Sequence, residues 1–129
     1  MNIVRQWPIA TEDTLRADPR LLKEIPIDHS TAAVHTPGGT EAAEVALRSF
    51  LRRKLDAYHT DRNHPDEDAT SGLSPYLHFG HIAVHQVFSE LMEREDWSLE
   101  RLGHGSRGQR EGWWGMTQGA ESFLDELVT

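Results

Sequence analysis

Apolar residues recur at the three-and-four spacing of amphipathic helices in three stretches of the chain. In the first, Ala43, Ala46, Leu47, Phe50, Leu51, Leu55 and Tyr58 share a face, and the spacing predicts a helix from about Glu41 to Tyr58. Thr40 is placed to cap it, and Glu41 and Glu44 suit the positive end of its dipole. In the second, Ile82, Val84, Val87, Phe88, Leu91 and Met92 predict a helix from about Ala83 to Glu93. In the third, Thr117 opens a helix with Ala120, Phe123, Leu124, Leu127 and Val128 inward and Glu121 and Asp125 outward. The expected fold class is all-α: an irregular N-terminal segment followed by a partial helical bundle.

The connecting stretches are polar or broken by proline. Residues 1–38 read as mostly irregular, punctuated by Pro8, Pro19, Pro26 and Pro37. One short helix fits Thr14 to Lys23, where Leu15, Leu21 and Leu22 share a face, although Pro19 interrupts it. Ile25-Pro26-Ile27 is extended, because a residue before proline avoids the α region. His59 to Asp68 is a polar loop whose acidic run Asp66-Glu67-Asp68 is expected to face solvent. A short helical turn capped near Asp96 or Ser98 should precede a surface loop from Gly103 to Gly112. Trp113, Trp114 and Met116 form an apolar cluster expected to serve packing.

Composition narrows the picture. With 129 residues the chain suits one modest domain, burying roughly two-thirds of its unfolded surface if compact. A net charge of -8 argues against generic attraction to nucleic acid, while leaving room for a local basic groove. Arg48, Arg52, Arg53 and Lys54 make one basic turn, which reads first as a solvated face. Cysteine is absent, so there is no disulfide and no thiolate metal site. No long apolar run or leader pattern is present, so a soluble, cytoplasmic protein without a membrane partner is expected. His78, His81 and His85 have a metal-ligand spacing, but Gly80 interrupts the helix and no nearby carboxylate joins them; no metal is expected.

Candidate chemistry concentrates in Thr70-Ser71-Gly72-Leu73-Ser74-Pro75-Tyr76-Leu77-His78-Phe79-Gly80. Three hydroxyls fall within five residues, Gly72 permits close backbone approach, and Ser74-Pro75 reads as a helix start with serine as the cap. Unpaired N–H groups at such a start suit a phosphate. Taken alone, the stretch reads first as an ordinary capped turn.

It does not stand alone. Tyr58-x-x-x-Arg62-Asn63-x-Pro65 precedes it, and Glu121-Ser122-Phe123-Leu124-Asp125-Glu126-Leu127-Val128 follows. Together these motifs closely resemble the start of the flavin-binding domain of DNA photolyases and cryptochromes. The His-Phe-Gly ending and the Glu121–Val128 run are most similar to the class II photolyase branch. The resemblance runs from about Ile25 to the last residue.

The resemblance implies that residues 1–38 are an interdomain linker and 39–129 the N-terminal part of an incomplete helical FAD-binding domain. The last helix, which reaches Thr129 without a stop signal, agrees with such a piece. It implies cofactor contacts from Tyr58, Thr70, Ser71, Gly72, Leu73, Ser74 and Phe123, the last departing from the family's common Trp. It implies contact of Arg62 with the DNA backbone and of Glu126 with the damaged base pair. No side chain is required as nucleophile or acid. The implied parent is a light-dependent repair enzyme that splits cyclobutane pyrimidine dimers in UV-damaged DNA using reduced FAD, with a possible antenna chromophore in another domain. The chain alone is expected to bind FAD weakly or not at all and to self-associate through exposed helix faces. The alternatives are a cryptochrome-type light sensor and a cofactor-free helical interaction module.

Overall fold

The computed structural model describes residues 8–16, 18–32, 34–64, 66, 68–103 and 111–129. Residues 1–7, Glu67 and 104–110, on which parts of the N-terminal, acidic-run and Gly103–Gly112 expectations fall, lie outside the described residues. The chain divides into two units, Met1–Thr36 and Pro37–Thr129. Among the described residues every regular element is helical.

The first unit holds helix α1 (Glu12–Leu15) and a 3₁₀ turn, Pro19–Glu24. The single helix expected over Thr14 to Lys23 is therefore split in two. The Thr11 hydroxyl accepts from the Thr14 N–H and starts α1; the Asp18 carboxylate accepts from the Arg20 N–H at 2.9 Å and starts the second piece. Two competing local caps win over one continuous helix because Pro19 lacks an N–H and fits only a first turn. Ile25 is extended, as a residue before proline should be.

The second unit carries the remaining helices: α2 (Thr40–Arg53), α3 (Tyr58–Asp61), α4 (Ser74–His78), α5 (Val84–Arg94) and α6 (Gln118–Val128). Short 3₁₀ turns stand at Leu55–Ala57 and Leu99–Arg101. One core joins Ala43, Leu47, Phe50, Leu51, Leu55, Tyr58, Leu73, Tyr76, Ile82, Val87, Leu91, Ala120, Phe123 and Leu124. α6 packs on α3 and the Leu55–Ala57 turn, and α5 packs on α2 and α6.

The first amphipathic stripe is buried along its length, but the helix does not run through it. α2 ends at Arg53, and Lys54 takes φ −117°. The cause is tertiary. Arg94, at the end of α5, donates from Nε to the Leu51 carbonyl at 2.7 Å, and its Nη2 meets Asp56 at 2.5 Å. A continuing helix would engage that carbonyl with the Leu55 N–H. The break turns the chain so that Leu55 and Tyr58 still face inward. Gly39, not Thr40, is the N-cap of α2, and its N–H donates to His81 Nδ1 at 3.2 Å. The Tyr76 hydroxyl donates to the Pro37 carbonyl at 3.0 Å, so the start of the unit is tied to α4 and the turn behind it.

α6 differs from expectation at two positions. Glu121 is buried rather than outward, and Val128 is exposed rather than inward. Glu121 accepts the Gly112 N–H at 2.7 Å on one oxygen and the Trp114 N–H at 2.9 Å on the other. Glu95, also buried, accepts the Thr117 N–H at 2.9 Å and pairs with Arg94 at 2.5 Å. These two carboxylates satisfy backbone donors that would otherwise be stranded. The Trp97 indole N–H donates to the Trp114 carbonyl at 2.6 Å, and Trp113 and Trp114 meet edge to face. Trp97 and Trp114 thus pack the segment that leads into α6, whereas Trp113, expected to serve packing, is exposed and among the described residues touches the cluster only through Trp114.

Candidate functional site across helices α3 and α6

Tyr58 opens α3 and is buried against the rings of Phe50 and Phe123, with centroids at 5.4 and 5.7 Å. Phe50 and Phe123 are themselves 4.6 Å apart. Burial, joined by the nearby Glu126 carboxylate, pushes the Tyr58 phenol above its ordinary pKa; the Arg62 guanidinium opposes the shift. Arg62 caps the end of α3, 5.9 Å from the centre of the Tyr58 ring. Its Nη1 donates to Glu126 at 2.9 Å and to the Ser122 carbonyl at 3.3 Å. Four residues singled out in the sequence, Tyr58, Arg62, Phe123 and Glu126, therefore converge where α3 meets α6. Phe123 keeps only 4% of its surface exposed, so it stands behind Tyr58 as part of the wall.

The hydroxyl loop has a different character. Thr70, Gly72 and Ser74 are exposed, Ser71 is half-buried, and Leu73 is fully buried. The Ser71 hydroxyl oxygen accepts from the Leu73 N–H at 3.3 Å, which leaves its own proton free to donate. Gly72 has φ +68° with open space where a side chain would stand, so its backbone is accessible from that side. Ser74 is the first residue of α4 rather than its cap; Leu73 takes the cap position without a side-chain bond. α4 is five residues long. The loop's capacity for a phosphate thus rests on hydroxyls and the Gly72 backbone, not on a helix end. Leu73 can reach a ligand only through its backbone.

Asp68 pairs with Lys54 at 2.8 Å, so one end of the acidic run is neutralised across the chain. His81 spends Nδ1 on Gly39, and no group of three acidic, histidine or cysteine side chains placed to hold a metal occurs among the described residues. No helix among them is long and apolar enough to cross a membrane.

Two features escape the sequence pattern. His59 Nδ1 is buried with no hydrogen-bond partner among the described residues, and His59 lines a 380 Å³ cleft with Glu111, Gln118, Glu121, Ser122 and Asp125. The role of Glu121 left one faint signal: it sits three residues before Leu124, at the border of the apolar stripe.

Fold and site together describe a helical unit in which a buried aromatic cluster carries an arginine–glutamate pair. No protein-family model matches the chain. Individual proteins do. The chain is 50% identical over 58 residues to a deoxyribodipyrimidine photo-lyase of Oryza sativa subsp. japonica, covering 42% of this chain and 12% of that protein. It is 44% identical over 96 residues to the photo-lyase of Arabidopsis thaliana, covering 71% of this chain and 16% of that one. Cryptochrome-1 of Sinapis alba matches at 35% over 71 residues, 54% of this chain and 14% of that protein. These matches place the chain in the photolyase/cryptochrome family. The chain spans only a small part of the length of the relatives it matches.

Proposed function

We propose that this chain contributes to a light-dependent DNA-repair enzyme that splits cyclobutane pyrimidine dimers, as the start of its FAD-binding domain, with residues 1–38 as linker and 39–129 as domain. The observation that carries the reading is the convergence of Tyr58, Arg62, Phe123 and Glu126 across α3 and α6. A cation and a carboxylate set over an aromatic wall suit a polyanion carrying a base to be read. Photo-lyases among the relatives add support.

The residues present fit a flavin nucleotide at the level of chemistry. Hydroxyls of Thr70, Ser71 and Ser74 and the open backbone at Gly72 supply donors for a diphosphate. Leu73 contributes its backbone. Tyr58, backed by Phe123, supplies a phenol beside the Arg62 charge. When bound, reduced FAD excited by blue or near-UV light supplies the electron that opens the dimer. Arg62 holds the DNA backbone, and Glu126 offers a carboxylate to the flipped base pair. Exposed Val45, Phe79, Val84 and Val128 support self-association of the chain when it is isolated.

The test is direct. The full-length protein bearing this sequence should purify with a flavin absorption band and repair UV-irradiated oligonucleotide under blue light. Ser71→Ala with Ser74→Ala should lower flavin occupancy. A colourless protein rejects the cofactor reading; a flavoprotein without repair points to a sensor.

A further inference from the structure

The turn behind α4 holds one histidine in a fixed place. Gly80, at φ +68°, closes the helix with its N–H on the Leu77 carbonyl at 3.2 Å. The His81 N–H reaches back to the Tyr76 carbonyl at 2.8 Å. This paired closure pins the backbone of the residue that follows the helix. The half-buried His81 ring lies over Gly38, where an added Cβ would stand 3.3 Å from Cε1. Its Nδ1 accepts the Gly39 N–H at 3.2 Å. The sequence offered His81 as one of three histidines at metal-ligand spacing; the geometry spends it on the backbone instead.

That bond carries a chemical condition. An imidazole nitrogen accepts only while it bears no proton; the imidazolium donates from both nitrogens and accepts nothing. The N–H in question belongs to the N-cap of α2, a 14-residue helix whose cap residue makes no side-chain bond. A charged His81 would lose the bond and also stand at the positive end of the α2 dipole. The titratable groups around it come from three helices. From α4, the Tyr76 ring lies 6.2 Å away with its hydroxyl proton committed to the Pro37 carbonyl, and His78 is exposed. Glu41 is exposed in the first turn of α2, and His85 is exposed on α5. Among the described residues none forms an ion pair with His81.

We propose that His81 is an acid-sensitive latch on Pro37–Gly39, the segment through which the chain enters the second unit. While Nδ1 is bare, Gly39 is tied to the turn behind α4 and the start of α2 is held. As pH falls through the range in which histidines charge, a solvent proton takes the Nδ1 lone pair and that tie opens. The Tyr76 bond to Pro37 does not titrate there, so the segment is then held at one point instead of two. The latch is independent of any cofactor or DNA.

The experiment follows amide exchange of Gly39 by NMR from about pH 8 to about pH 5, as protection relative to an unstructured peptide of the same local sequence. In the unaltered chain, protection should fall about tenfold on acidification, the size of one hydrogen bond. His81→Asn sets an amide oxygen where Nδ1 stands and has nothing to titrate, so its protection should stay level. Level protection in the unaltered chain, or an equal fall in His81→Asn, overturns the proposal. Should His81→Asn fail to fold, the ring of the unaltered chain decides. Its nitrogen-15 shifts at about pH 8 should show Nδ1 bare and the proton on Nε2, with the Nδ1 and Gly39 amide signals moving through one shared midpoint. A proton on Nδ1 at that pH, or two separate midpoints, overturns it.

Discussion

Gly119→Ala is the sharpest test of how α6 is seated. Gly119 is the second residue of α6 and is buried where the helix crosses the Leu55–Ala57 turn. A Cβ built there would lie 1.8 Å from the Leu55 carbonyl oxygen and 2.9 Å from its carbon. Both are backbone atoms, so no rotamer can relieve the clash. Restoring ordinary contact requires the start of α6 to retreat by about 1.5 Å. That retreat pulls Ala120, Phe123 and Leu124 from the core they share with Leu55 and Phe50. Overpacking of this kind costs about 1–3 kcal/mol and sometimes more. The helical preference of alanine over glycine returns up to about 1 kcal/mol. Because the clash is with backbone, the cost falls at the upper end of that overpacking range, about 3 kcal/mol, and the net destabilisation is about 2 kcal/mol, which lowers the melting temperature by roughly 6–12 °C for a domain of this size. Thermal unfolding followed by circular dichroism measures it, with Gln118→Ala at the exposed neighbouring position as the control. A Gly119→Ala chain melting within about 2 °C of the parent would show that the α6 crossing is looser than described.

Other outcomes follow from the same contacts. Glu121→Gln offers one amide NH₂ to a backbone N–H, so it should cost about 2 kcal/mol and red-shift tryptophan emission as the Trp114 segment loosens. Tyr76→Phe removes the bond to the Pro37 carbonyl and should cost about 1 kcal/mol by urea unfolding, with an unchanged denaturant slope. The Tyr58 phenol is raised in the folded chain, so its proton is held more tightly there than in the unfolded chain. Its contribution is therefore fully present below about pH 10 and is lost as pH rises through the folded value; Tyr58→Phe should abolish that alkaline loss in a pH series of melts. Arg94→Ala leaves the Leu51 carbonyl and the buried Glu95 carboxylate short of a partner and should cost about 3 kcal/mol in the same melts.

Much of this chain was readable from residue order alone, for a local reason. Burial repeats with the helical period, so Ala43, Leu47, Phe50, Leu51, Leu55 and Tyr58 identify an inward face whether or not the helix is continuous. Val87 and Leu91 on α5, and Ala120, Phe123 and Leu124 on α6, follow the same rule. The motifs around Tyr58, Thr70 and Glu126 likewise named the family, because they lie in the chain itself. Tertiary structure decided what depends on partners far along the chain. Arg94 ends α2 from 43 positions away, and Arg62 meets Glu126 across 64. Glu121 is inside because two backbone N–H groups of another segment come to it. Periodicity tells which side of a helix loses water; it carries no record of which distant polar group will be waiting there.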